Sequence, residues 1–189
     1  DEMWAVLGGD PLLTIAGEIL AGPVTRPSSE VRSALVPRLA EAAGSNGMIG
    51  GQMIDMQAAQ NAFGSEETIH LQRLKTGQLF EFSCEAGAIL GEATQEDRER
   101  LRSFARDMGL VFQITDDLLD VTSTAEKTGK AVGKDREQGK ATLVAIMGVE
   151  GARAEAEKLA RRASATLPPY GHAAPELREL PLYLPTREA

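Results

Sequence analysis

One cysteine, Cys84, leaves no partner for an internal disulfide, and no basic segment followed by an apolar one opens the chain. A reducing, cytoplasmic setting is the expectation that follows. No apolar stretch approaches the roughly 20 residues that a membrane-spanning helix needs, so stable membrane insertion is not expected. Basic residues are outnumbered, 20 Lys and Arg against 28 Asp and Glu, for a net charge of −8. That balance speaks against nucleic acid as a partner, because such affinity comes mostly from cationic side chains neutralising phosphates. A small phosphorylated molecule bridged by metal ions remains compatible with it. There are only two histidines. Glu67 and His70 have the Glu-x-x-His spacing of di-iron helical bundles, but those proteins need the pattern twice, and Pro169 stands where the glutamate partner of His172 would be. Strand signals are nearly missing as well.

What is present is an apolar fraction of 42% over 189 residues, enough for one ordinary core. Helix punctuation recurs along it: Asp10 before Pro11, Ser29 before Glu30, Ser65 before Glu66 and Glu67, and Thr94 three residues ahead of Asp97. The pattern predicts helices over 11–21, 29–43, 46–62, 66–91, 95–122, 140–149, 151–166 and 175–184, with breakers such as Gly22-Pro23, Gly64, Gly91 and Pro168-Pro169 between them. No repeat, low-complexity run or linker divides the chain, so the expectation over 1–189 is a single all-α domain. The stretch 123–139 is longer than a helix connection requires. It holds three glycines and the cations Lys127, Lys130, Lys134 and Arg136, and long loops in compact domains are usually functional or disordered.

On the helix predicted over 95–122, Gln113, Asp116, Asp117 and Asp120 fall within an arc of about 100° and make one polar stripe. Leu110, Val111, Phe112, Ile114, Leu118, Leu119 and Val121 fill most of the remaining circumference. A helix apolar nearly all round is usually buried, so the carboxylates are expected to line an interior cavity. Like charges one turn apart cost roughly 0.2–0.5 kcal/mol per pair even in solvent, and far more when buried without partners. A cation belongs there. Mg²⁺, held by one or two carboxylates with waters and phosphate oxygens, suits such hard oxygen ligands. An Asp-Asp-x-x-Asp pattern by itself equally fits a solvated acidic face.

Lys75 and Thr76 lie within Leu71-Gln72-Arg73-Leu74-Lys75-Thr76-Gly77-Gln78-Leu79, where the leucines mark the packed side. Alone, Lys75 also fits an ordinary surface lysine. The glycine-spaced loop with Lys130 and Lys140 at its ends follows the acidic helix directly. It is not a phosphate-binding P-loop, since five residues separate Gly133 from Gly139, Ala141 follows Lys140, and no strand precedes it.

Four blocks occur in order: Gly51-Gln52-Met53-Ile54-Asp55, Leu74-Lys75-Thr76-Gly77, Phe112-Gln113-Ile114-Thr115-Asp116-Asp117-Leu118-Leu119-Asp120, and Gly129-Lys130 through Gly133-Lys134-Asp135 to Gly139-Lys140-Ala141-Thr142. With them the chain resembles the trans-isoprenyl diphosphate synthases, nearest to the farnesyl and geranylgeranyl diphosphate synthases. The resemblance covers nearly the whole chain and implies an isoprenoid-synthase-type helical bundle around a central cavity. It also implies a homodimer. Asp116, Asp117 and Asp120 would be the second aspartate-rich motif and hold Mg²⁺ bridged to an allylic diphosphate. Lys75, Lys130 and Lys140 would bind that diphosphate, Thr76 and Gln113 would lie beside the reacting carbons, Gln52 and Asp55 would border the cavity, and Phe112 would pack against isopentenyl diphosphate. The reaction implied ionises the allylic substrate, lets the isopentenyl double bond attack the cation, and releases a proton, giving farnesyl or geranylgeranyl diphosphate.

The family's first aspartate-rich motif would fall upstream of Asp1, so these residues correspond to the C-terminal two-thirds of a synthase and to half of its metal site. Two other readings share the features. A non-catalytic synthase-like subunit would lack the first motif by nature, and a terpene cyclase would share the helical cavity and metal chemistry. Cyclases usually carry Asn or Ser in the second motif, which the three aspartates and the Lys-Thr pair do not match.

Overall fold

The computed structural model describes residues 2–58, 63–122 and 142–187. In order they form α1 (Glu2–Ala21), α2 (Ser29–Ala43), α3 (Met48–Ala58), α4 (Ser65–Gln72), a π-helical turn (Arg73–Gly77), α5 (Gln78–Leu90), α6 (Gln95–Thr122), α7 (Leu143–Ala165), a 3-10 turn (Pro168–Ala173), α8 (Pro175–Tyr183) and a final 3-10 turn (Leu184–Thr186). No strand occurs among the described residues, and the fold is all-α as the punctuation predicts.

The long central helix α6 is the axis of the packing. It lies against α7 on one side and α5 on another, with the π turn crossing it near mid-length. Its buried side chains Phe104, Met108, Val111, Ile114 and Leu118 meet Ala152, Ala156, Leu159, Ala160 and Ala163 of α7 in one core. The alanines recur at helical spacing, so α7 presents a low ridge onto which the larger side chains of α6 can close. Each buried Phe, Leu or Ile contributes about 1.5–3 kcal/mol. A second cluster, Leu35, Leu39, Ala42, Phe82, Ala86 and Ile89, joins α2 to α5. At the start of α6 the Thr94 hydroxyl accepts from the Asp97 backbone N–H (3.2 Å) and donates to the Asp97 carboxylate (2.8 Å), which caps the helix where the sequence places it.

Several boundaries differ from expectation. The helix predicted from residue 11 begins at Glu2 and runs through Pro11, because an interior proline removes one backbone hydrogen bond without unwinding the turns on either side. The cap of α2 is Ser28, whose hydroxyl accepts from the Val31 N–H. The segment predicted as one helix over 66–91 is interrupted at Arg73–Gly77, where the wider π turn inserts. The two helices predicted over 140–149 and 151–166 are joined as α7, with a kink at Gly148 in the left-handed region (φ 72°), a conformation that costs glycine little.

Candidate active site

The π turn is where the first three of the four blocks meet. π-helical turns are rare and frequently mark functional sites, and this one carries Leu74, Lys75, Thr76 and Gly77. Two glycine contacts hold it. A Cβ built on Gly51 of α3 would stand 2.3 Å from the Lys75 nitrogen and 2.6 Å from its Cα, and one on Gly109 of α6 would stand 3.2 Å from the Gly77 Cα. Backbone therefore lies on backbone on the α3 side, and nearly so on the α6 side.

One turn beyond Gly51, Asp55 accepts a 2.5 Å contact from the Lys75 ammonium, both groups being largely shielded. From the next residue a chain of bonds runs to α6: Thr76 Oγ1 donates to Gln113 Oε1 (3.1 Å), and Gln113 Nε2 donates to Asp117 Oδ1 (2.8 Å). The Asp55–Lys75 pair and the Thr76–Gln113–Asp117 bonds, drawn from three of the four blocks, thus adjoin at successive residues of the π turn. Asp117 is buried at 2% exposure.

The stripe is not uniformly interior, which corrects the sequence expectation. Asp120 is half-buried, and Asp116 is more than half exposed, its carboxylate 3.4 Å from the Arg187 guanidinium. The reason is angular: Asp116 and Asp117 are adjacent residues, 100° apart on the helix, so one points into the bundle while the other reaches its rim. Phe112 lies beside Phe80 of α5, ring centres 5.5 Å apart, and beneath the Arg187 guanidinium at 5.0 Å. Gln52 is exposed on α3. Lys130 and Lys140 lie outside the described residues.

Among the described residues no three or more acidic, histidine or cysteine side chains converge on a point. Mg²⁺ does not require that, since it is commonly held by one or two carboxylates with waters and phosphate oxygens. Asp116 and Asp120, hard oxygen donors one helical turn apart, fit it.

Behind the turn, Glu81 and Glu85 of α5 are buried and surrounded by Arg38 of α2 and Arg102 and Arg106 of α6. Burial pushes the Glu81 carboxyl above its ordinary range, opposed by the charges of Arg106, Arg102 and Arg38. Arg38 donates to Glu85 from two nitrogens (2.9 and 2.7 Å), bracing α2 to α5. His70 is exposed, as a helix-surface histidine should be, and Cys84 packs partly buried against the core, with its thiol pushed up by burial. Sequence reasoning missed Arg187, Phe80 and the glycine contacts.

Residues 1–167 of this all-helical chain match the family model for polyprenyl synthetase. The chain belongs to the polyprenyl synthetase family. It is 42% identical over 153 residues to a farnesyl diphosphate synthase of Bacillus subtilis, covering 80% of this chain and 52% of that protein. The crystal structure of an FPP/GFPP synthase from Zymomonas mobilis superposes with a TM-score of 0.84 at 41% identity, over 95% of this chain and 60% of that one. A geranyltransferase from Helicobacter pylori, solved with magnesium and isoprenyl diphosphate, superposes with a TM-score of 0.82 at 31% identity, over 97% and 60%. This chain spans about half the length of the curated relatives it matches. No described helix is long and apolar enough to cross a membrane.

Proposed function

We propose that this chain supplies the allylic-diphosphate half of a prenyltransferase site, which condenses isopentenyl diphosphate with dimethylallyl or geranyl diphosphate to give farnesyl or geranylgeranyl diphosphate. The observation that carries the reading is the Asp55–Lys75 pair adjoining the Thr76–Gln113–Asp117 bonds, in a chain of this family. Asp116, Asp117 and Asp120 would hold Mg²⁺, which when bound supplies positive charge to a departing diphosphate. Lys75, kept in place by Asp55, would add a further cation for the diphosphate, and like Lys130 and Lys140 it is assigned that role by the resemblance alone. Thr76 and Gln113, tied to each other, present oxygen dipoles toward positive charge developing on the allylic carbon. Phe112, with Phe80 packed against it, would offer an apolar wall to the isopentenyl partner.

In the step proposed, the allylic carbon–oxygen bond breaks with its electron pair leaving on diphosphate. The isopentenyl double bond then forms the new carbon–carbon bond, and a proton departs to the diphosphate. A homodimer in the cytoplasm belongs to the same proposal. The exposed apolar side chains Leu12, Ile15 and Ile19 on one face of α1 support a subunit contact. The test is transfer of labelled isopentenyl diphosphate to geranyl diphosphate by the full-length protein, with and without Mg²⁺, products separated by chromatography. Mg²⁺-dependent C15 or C20 diphosphates are expected. A hydrocarbon product, or binding of neither substrate, would overturn the reading.

A further inference from the structure

The C-terminal turn ends in a cation at the acidic stripe. Leu184 is buried in the core beside α6 and α7, so the turn Leu184–Thr186 gives Arg187 a fixed base. From there the guanidinium, 17% exposed, reaches across the Phe112 ring to Asp116. Its hold is weak. The 3.4 Å separation from the Asp116 oxygen exceeds the roughly 2.7–2.9 Å of a tight charge-assisted bond, and its Nε is buried without a hydrogen-bond partner among the described residues. A buried donor left unsatisfied favours any rearrangement that would satisfy it. Asp116 is the most open of the three stripe carboxylates and the one most accessible to an incoming ion.

We propose that Arg187 is an internal counter-ion, paired with Asp116 in the metal-free protein and displaced when Mg²⁺ binds. The C-terminal turn and the metal then compete for one carboxylate. The inference rests on the metal reading above. Without metal, the stripe places three acidic groups within two helical turns, and the guanidinium offsets that repulsion. A divalent ion offsets it better and takes the same oxygen. The freed side chain, still based on the turn and next to Phe112, can then satisfy its Nε elsewhere.

The test is calorimetric titration of Mg²⁺ into the protein in the presence of inorganic diphosphate. Arg187→Gln is expected to bind Mg²⁺ about two- to five-fold more tightly, the size set by removing a partly exposed ion pair. Tighter binding is also the reverse of what general damage to the fold produces. In thermal melts Arg187→Gln should fall below the parent without metal and approach it with saturating Mg²⁺ and diphosphate. Arg187→Lys keeps the charge, guards against a folding defect, and should lie between the two. Equal affinity in parent and Arg187→Gln overturns the proposal. Weaker affinity in Arg187→Gln overturns it too, because Arg187 would then be helping to hold the ligand. Asp116→Asn separates the two levels: a folded Asp116→Asn protein with undiminished Mg²⁺ affinity sinks the metal reading itself, whatever Arg187→Gln does.

Discussion

Gly51 and Lys75 are in backbone contact: a Cβ added to Gly51 would stand 2.3 Å from the Lys75 nitrogen, closer than real Cβ atoms come to any neighbour. The obstacle is main chain at the π turn, so it cannot swing aside as a flexible side chain would. Gly51→Ala should therefore push α3 from the turn, at a cost of about 1–3 kcal/mol for an overpacked site. Asp55 would be carried out of reach of Lys75. Urea unfolding checks the first effect and weaker binding of an allylic diphosphate the second. A parent-like midpoint with parent-like binding would show that the contact is not needed.

Glu81 gives a pH dependence with a definite sign. Burial raises its carboxyl above the ordinary glutamate value of 4.5, so the folded protein holds this proton more tightly than the unfolded chain does. As pH rises through 4.5 the unfolded chain ionises first and is stabilised relative to the fold. Stability from this group is thus fully present below 4.5 and lost as pH rises through the raised folded value. Glu81→Gln removes the titration. Its stability relative to the parent should improve from pH 4 to pH 7, measured as the difference in urea midpoints. A constant difference across that range would exclude the assignment.

The long α6 was legible because 28 residues of apolar periodicity and a capping pair agree on it, and α2 because its boundaries carry serine and glycine. The π turn was not legible. Its composition is that of the helices on either side, and the one extra residue per turn leaves no mark beyond Lys-Thr-Gly within an apolar pattern. Gly51 and Asp55 fall in one block, but their contacts with Lys75 are tertiary, across 24 and 20 positions of sequence, and have no period. Asp116 was expected inside with Asp117, whereas neighbouring residues on a helix must face different ways. Arg187 follows Leu-Pro-Thr in a segment without periodicity, and nothing local connects it to an aspartate 71 residues earlier.

Thr76→Val keeps the side-chain shape and removes the hydroxyl that donates to Gln113. Stability should fall by about 0.5–1.5 kcal/mol, the ordinary net worth of one hydrogen bond. Gln113 would remain tied to Asp117 but lose its second anchor, so its amide would no longer be fixed beside the substrate. Misplacement of a positioning group costs up to about 10²-fold, and kcat should fall roughly 10- to 100-fold with a smaller change in KM. Steady-state kinetics decide this. An unchanged kcat would mean that Asp117 alone orients Gln113.

Asp116→Ala separates chemistry from stability. The side chain is more than half exposed, and its one described partner is Arg187 at 3.4 Å, an arrangement worth at most about 1 kcal/mol. The melting temperature should therefore move by only a few degrees. If Asp116 carries Mg²⁺ against the leaving diphosphate, loss of that charge stabilisation amounts to several kcal/mol of barrier, or a fall in turnover of about 10²–10⁴-fold. Extra Mg²⁺ should restore part of the activity where the remaining carboxylates still bind it weakly. Near-normal turnover at ordinary Mg²⁺ would remove Asp116 from the metal site. Unfolding of the variant would instead show that Arg187 and the C-terminal turn depend on this carboxylate for their structure.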